Sequence, residues 1–147
     1  MNSNDTMEAK RGPEKPRKAA LITGASSGIG YELARLCAQD GYNLVLAARS
    51  LDRLNDIAEE FHTNHGSSVK VISADLSKPG SAGEIIEDLR NNSIEIDILI
   101  NNAGFGLKGE FAETEERAER EMMQLNMISL LELTKKMVPA MKVRGRG

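Results

Sequence analysis

The stretch TGASSGIG, residues 23–30, constrains this chain more than any other. It follows a short apolar run, AALI, and precedes a helical pattern. Its glycines, Gly24, Gly28 and Gly30, are spaced G-x-x-x-G-x-G. A strand that runs into such a turn and then opens a helix makes a cradle for phosphate. Glycines let the backbone approach a pyrophosphate with no Cβ in the way, and the helix start offers free N–H groups and the positive end of its dipole. Glycine spacing alone is a weak signal, and its plain alternative is a flexible strand-to-helix turn. The segments on either side argue against that alternative.

From Ala19 the chain alternates. AALIT (19–23), NLVLAA (43–48), VKVISA (69–74) and DILIN (97–101) read as short buried strands. Between them lie helical patterns. IGYELARLCAQDG places Ile29, Leu33, Leu36 and Cys37 on one apolar face, with Gly41 as its C-cap. LDRLNDIAEEF repeats the spacing with Leu51, Leu54, Ile57 and Phe61, and a third helix is expected around AGEIIEDLRNN. Continuous apolar strands suit a parallel sheet covered on both faces, so the pattern predicts an open, doubly wound α/β sheet. With the glycine turn at the switch point, the strand order is 3-2-1-4. A long helix over 113–141 closes the chain. Met122, Met123, Leu125, Met127, Ile128, Leu130, Leu131, Leu133, Met137, Val138 and Met141 cover most of its circumference. A helix apolar nearly all round is buried on more than one side, here against the sheet and against a later part of the chain or a second subunit. With the fourth strand at a sheet edge beside it, the isolated chain is expected to be marginally stable or insoluble.

Residues 1–18 are polar, mixed in charge and broken by Pro13 and Pro16, and read as a disordered extension. The net charge of −3 over 147 residues disfavours nucleic acid and anionic membrane as partners, and no apolar run is long enough to span a bilayer. A single cysteine excludes an internal disulfide and favours a reducing compartment, hence a cytoplasmic protein. Cys37 reads as a buried structural thiol. His62 and His65 read as a solvated helix end, so no metal site is expected.

The end of the second strand bears on the cofactor. An acid there would hold a ribose 2′-OH, whereas an arginine suits a 2′-phosphate. The chain has Ala48 followed by Arg49 and Ser50, which favours NADP over NAD. Asp52, second in the following helix, is expected to serve the helix N-terminus instead.

Together TGASSGIG (23–30), AARS (47–50), ADLS (74–77), NNAG (101–104) and LNMIS (125–129) resemble, in order and spacing, the short-chain dehydrogenases/reductases. The resemblance runs from about Ala19 to the C-terminus. It implies the N-terminal part of an NAD(P)-binding Rossmann-type domain over 19–147, with strands one to four and the helix after them. By that resemblance Gly24, Gly28 and Gly30 line the pyrophosphate, with Ser26 and Ile29 along it, and Arg49 meets the 2′-phosphate. Asp75 holds the adenine amino group and Leu76 lies beside the ring. Asn102, Ala103 and Gly104 follow the fourth strand beside the riboses, Asn101 ties neighbouring strands, and Asn126 is the catalytic asparagine. It further implies a small carbonyl or alcohol substrate and a homo-oligomer through the 113–141 helix.

One part of the family pattern does not match. The family reduces carbonyls with a serine and a Tyr-x-x-x-Lys pair. The only tyrosines here are Tyr31, with Arg35 four residues on and in the wrong element, and Tyr42, with Leu46. MVPAMKVRGRG resembles the turn before the family's fifth strand, so the catalytic half is expected beyond Gly147. Two readings follow. One is an NADP-dependent oxidoreductase present as its cofactor-binding half. The other is a catalytically inactive, truncated dinucleotide-binding or dimer-forming fragment.

Overall fold

The computed structural model describes residues 17–147. The extension expected over 1–18 therefore lies, apart from Arg17 and Lys18, outside the described residues. Four strands form one parallel sheet: β1 (Ala19–Thr23), β2 (Asn43–Ala48), β3 (Val69–Ser73) and β4 (Ile98–Ile100). Their order is β3-β2-β1-β4, as the position of the glycine turn required.

Side chains alternate across the sheet, and each face has its own core. Ala20 and Ile22 of β1 join Leu44 and Leu46 of β2 on one face. There they meet helices α1 (Gly28–Gln39) and α2 (Leu51–His65) through Ala34, Ala38, Leu54, Ile57 and Phe61. Ala19, Leu21, Val45 and Ala47 point to the other face and meet Ala82, Ile85 and Leu89 of α3 (Ser81–Asn91). Both faces of β1 are thus sealed, which is why its residues read as an unbroken apolar run.

The apolar face expected on the first helix is not the one that packs. α1 buries Gly30, Ala34 and Ala38, four residues apart, while Ile29 is 73% and Leu36 48% exposed. Leu33 and Cys37 are half-buried, so Cys37 is not the sealed thiol the sequence suggested. Small residues win because they let the helix lie closer to the sheet than leucines would. Leu51 is likewise exposed at the start of α2, whereas Leu54, Ile57 and Phe61 are fully buried. Gly41, just past α1, has φ +81° and stops the helix in the left-handed conformation.

The closing helix starts and ends later than 113–141 and is not uniform. α4 (Glu116–Met123) passes through a π-helical segment at Gln124–Ser129 into α5 (Leu130–Arg144). α5 reaches the sheet through Leu133 and Met137. Met123, Met127, Ile128, Leu130, Leu131 and Val138 are exposed, so one side of this helix carries apolar surface that no described residue covers.

Candidate functional site: a cleft at the carboxyl ends of the strands

All four parallel strands point the same way, and at their carboxyl ends lies a cleft of about 740 Å³. This is where an open α/β sheet binds ligands. The glycine turn, the residues after β2, the loop after β3 and the turn after β4 form its walls. Of the residues singled out from sequence, Gly24, Ser26, Ile29, Arg49, Asp75, Leu76, Asn102, Ala103 and Gly104 all line it. Gly28, Gly30 and Asn126 do not.

The three glycines of the turn have different physical duties. Gly28 has φ +56° and open space where a Cβ would stand, so its glycine serves backbone conformation. Gly24 has φ +66°, and a Cβ there would sit 2.9 Å from Ala103 Cα. A Cβ on Gly30 would collide with the Gly24 carbonyl and the Asn102 amide. Gly30 is therefore required for packing between α1, the glycine turn and the turn after β4. The start of α1 is otherwise open. Ser27 makes no side-chain cap bond, and no acid lies in the first turn. The uncompensated N–H groups and dipole there suit an anion.

Thr23, which sequence reasoning passed over, holds this end of the sheet together. Its Oγ1 accepts N–H bonds from Asn102 and Ala103, each at 3.0 Å. Asn102 Nδ2 donates to the carbonyls of Thr23 (3.0 Å) and Gly24 (3.3 Å). Asn102, not Asn101, therefore ties the ends of β1 and β4. Asn101 Nδ2 instead donates to Thr134 Oγ1 of α5 at 3.0 Å. The signal for Thr23 was its position as the last strand residue before the glycine turn, where a hydroxyl can reach a neighbouring chain.

At the far wall, Asp75 Oδ1 accepts from the Ser77 N–H (3.1 Å) and hydroxyl (2.7 Å). These bonds, helped by the nearby charges of Lys78 and Arg49, hold its carboxyl below the usual aspartate range. Oδ2 is left free of protein partners among the described residues. Arg49 is exposed on the cleft wall and makes no ion pair among the described residues; Asp52 lies in the first turn of α2, as expected.

Asn126 sits in the π segment and pairs with the backbone of Phe105. Its Nδ2 donates to the Phe105 carbonyl at 2.8 Å, and its Oδ1 accepts the Phe105 N–H at 3.2 Å. Asn126 thus fastens the turn after Gly104 to the helix. Ser129, also missed, donates from its buried hydroxyl to the Leu76 carbonyl at 2.7 Å. Lys78 pairs with Glu121 at 2.6 Å, and this contact with Lys78 and then Arg117 holds the Glu121 carboxyl low. The π segment and α4 thereby clamp the loop after β3. Their signal in the sequence was slight, because a helical serine or glutamate carries no mark of its partner.

Tyr31 is committed elsewhere. Its hydroxyl donates to Glu60 Oε1 at 2.6 Å, and that bond raises its pKa above the ordinary phenol value. Tyr31 does not line the cleft. Among the described residues no three His, Cys, Asp or Glu side chains gather as a metal site, and His62 Nδ1 lies 3.3 Å from the Ser67 carbonyl. No helix among them is long and apolar enough to cross a membrane.

Comparison with known proteins follows the same outline. Residues 18–147 match the family model for short chain dehydrogenase. The very-long-chain 3-oxoacyl-CoA reductase of Coccidioides immitis is 35% identical over 133 residues, which cover 87% of this chain and 38% of that protein. A short-chain dehydrogenase from Sphingobium yanoikuyae, solved in complex with NADPH, superposes with a TM-score of 0.82 at 35% identity, covering 88% of this chain and 50% of that one. L-sorbose reductase from Gluconobacter frateurii, solved with NADPH and L-sorbose, gives a TM-score of 0.82 at 33% identity, covering 88% and 49%. The chain therefore spans about half or less of the length of these relatives. With the parallel sheet, the glycine turn and the cleft beside it, these matches show that the chain belongs to the short-chain dehydrogenase family of oxidoreductases.

Proposed function

We propose that residues 19–147 form the cofactor-binding half of an NADPH-dependent oxidoreductase that moves hydride between the cofactor and a carbonyl or alcohol. The observation that carries this is the rim at the end of β2. Ala47, Ala48 and Arg49 line the cleft there with no carboxylate among them, next to an uncapped helix N-terminus. A 2′-phosphate meets a guanidinium there, and a pyrophosphate meets free N–H groups. The solved complexes of two relatives with NADPH support the same cofactor.

In this reading Gly24, Ser26, Gly28, Ile29 and the first turn of α1 hold the pyrophosphate, and Gly30 keeps that turn in place. Arg49 takes the 2′-phosphate. Asp75 accepts from the adenine amine through its free Oδ2, with Leu76 against the ring. Asn102, Ala103 and Gly104 lie along the riboses. The bound nucleotide supplies or takes the hydride. Asn126 is the catalytic asparagine, and its contribution here is to hold the 104–105 turn; one amide N–H and one lone pair remain on it for a water. Proton transfer needs a group with a pKa near neutrality, and Tyr31, held by Glu60 away from the cleft, is unsuited to it. The tyrosine, lysine and serine of the family's chemistry are groups these residues do not supply. The exposed side of α4, the π segment and α5 is assigned to a homo-oligomer contact, and the small amount of cysteine fits a cytoplasmic enzyme.

The test is titration of the purified protein with NADPH and NADH, followed by nucleotide fluorescence. NADPH should bind about tenfold tighter or more, the scale of one charge-assisted pair. No binding by folded protein, or a preference for NADH, would overturn the reading.

A further inference from the structure

Most arginines of the described chain face a carboxylate. Arg35 pairs with Glu32, Arg117 with Glu121, Arg120 with Glu116, Arg144 with Glu95 and Arg146 with Asp97, all within 3.8 Å. Arg17, Arg49, Arg53 and Arg90 have no such pair among the described residues, and of these Arg49 and Arg53 stand four residues apart at the same end of α2. Arg53 Nε donates to the Ser26 carbonyl at 3.4 Å, and its guanidinium carbon lies 5.9 Å from the centre of the Tyr31 ring. Ser26 and Arg49 both line the cleft, and Arg53 stands just outside that lining, joined to it through Ser26.

The carboxylates around Arg53 do not neutralise it. Asp52 and Asp56 flank it on α2 without forming an ion pair among the described residues. Glu60 accepts the Tyr31 hydroxyl, and Glu32 holds Arg35. The side chain is thus held by its Nε and by the aromatic face, while its two terminal nitrogens stay free for a planar two-point contact.

We infer that Arg53 is a second phosphate-recognition residue, acting with Arg49 on the phosphate that distinguishes NADPH from NADH. The inference rests on the proposed reading of the cleft as an NADPH site. Arg53 holds a terminal phosphate oxygen from the α2 side while its Nε keeps the glycine turn in register with that contact.

The test compares wild type with Arg53→Gln and Arg53→Lys, titrating each with NADPH and NADH at low and high salt. Arg53→Gln should weaken NADPH about fivefold, leave NADH within twofold, and flatten the salt dependence of NADPH binding. Arg53→Lys should keep part of the NADPH preference, because it keeps the charge but not the fork. Equal loss for both nucleotides would make Arg53 only a brace of the turn, and no loss for either would remove it from recognition; both results overturn the inference. A wild type that prefers NADH, or binds neither nucleotide while folded, overturns the cofactor reading and this inference with it. Arg53 is exposed, so neither substitution threatens folding.

Discussion

The two faces of this sheet have reached different degrees of completion within the same chain. Under α1 and α2, Phe61, Leu54 and Ile57 are wholly enclosed, and the helices meet the sheet through alanines. On the other face, α3 is equally well seated, but α5 buries only Leu133 and Met137, with Met141 packed partly buried beside them. Beside them Leu131 is 52% exposed, with Met123, Met127 and Leu130 in the same state. An amphipathic helix with a narrow apolar stripe finishes its burial on one sheet. A helix apolar on two sides cannot, and its second side requires another surface. The first face is therefore where stability is set, and the second leaves apolar surface that no described residue covers.

The comparison can be broken most sharply at Phe61. Phe61→Ala empties a fully enclosed site and should cost about 3–5 kcal/mol, read from denaturant unfolding. A loss of about 1 kcal/mol or less would mean that this face is not the completed one. Gly30→Ala comes next. A methyl there has no room against the Gly24 carbonyl and Asn102, so a loss of about 1–3 kcal/mol is expected. Gly28→Ala keeps open space and suffers only the left-handed backbone, about 1–2 kcal/mol. A loss below about 1 kcal/mol for Gly30→Ala would show that packing is not what Gly30 serves.

On the other face, Ser129→Ala removes the hydroxyl that satisfies the Leu76 carbonyl and should cost about 1–3 kcal/mol. Leu131→Ala should change monomer stability by no more than about 0.5 kcal/mol. The same change should lower the sedimentation coefficient if the apolar side joins two copies. A loss matching that of Phe61→Ala in a dilute monomer would show that this side is already covered. The smallest effect is expected at Asp75. Its carboxyl titrates below the ordinary value, so its stabilisation is complete above about pH 4 and is lost as the pH falls through its folded value. Ser77→Ala should therefore lower stability at neutral pH, and the difference from wild type should shrink as the pH falls and Asp75 becomes protonated.

Much of this was legible without coordinates, for identifiable reasons. Strands sealed on both faces must be apolar throughout, so β1 and β2 stand out at once. Two-sided burial also fixes where Leu54, Ile57 and Phe61 point. Arg49 was legible because it follows the second strand, whose carboxyl end meets the others at one edge, whereas Asp75 and the 102–104 turn were legible only through the family resemblance. The π segment was not legible, since QLNMIS has ordinary helical residues and its widened turn goes with bonds from Asn126 and Ser129 to segments 21 and 53 residues away.

By itself the sequence determined the alternation of strands and helices, the strand order and the glycine turn, because each follows from local periodicity or from a conformation that glycine adopts most readily. Only the tertiary structure decided which side of α1 is buried, why Gly30 must be glycine and which asparagine joins β1 to β4. Those outcomes depend on how closely two distant segments approach. A stripe of alanines or one of two adjacent asparagines carries no sign of that distance until the chain has folded.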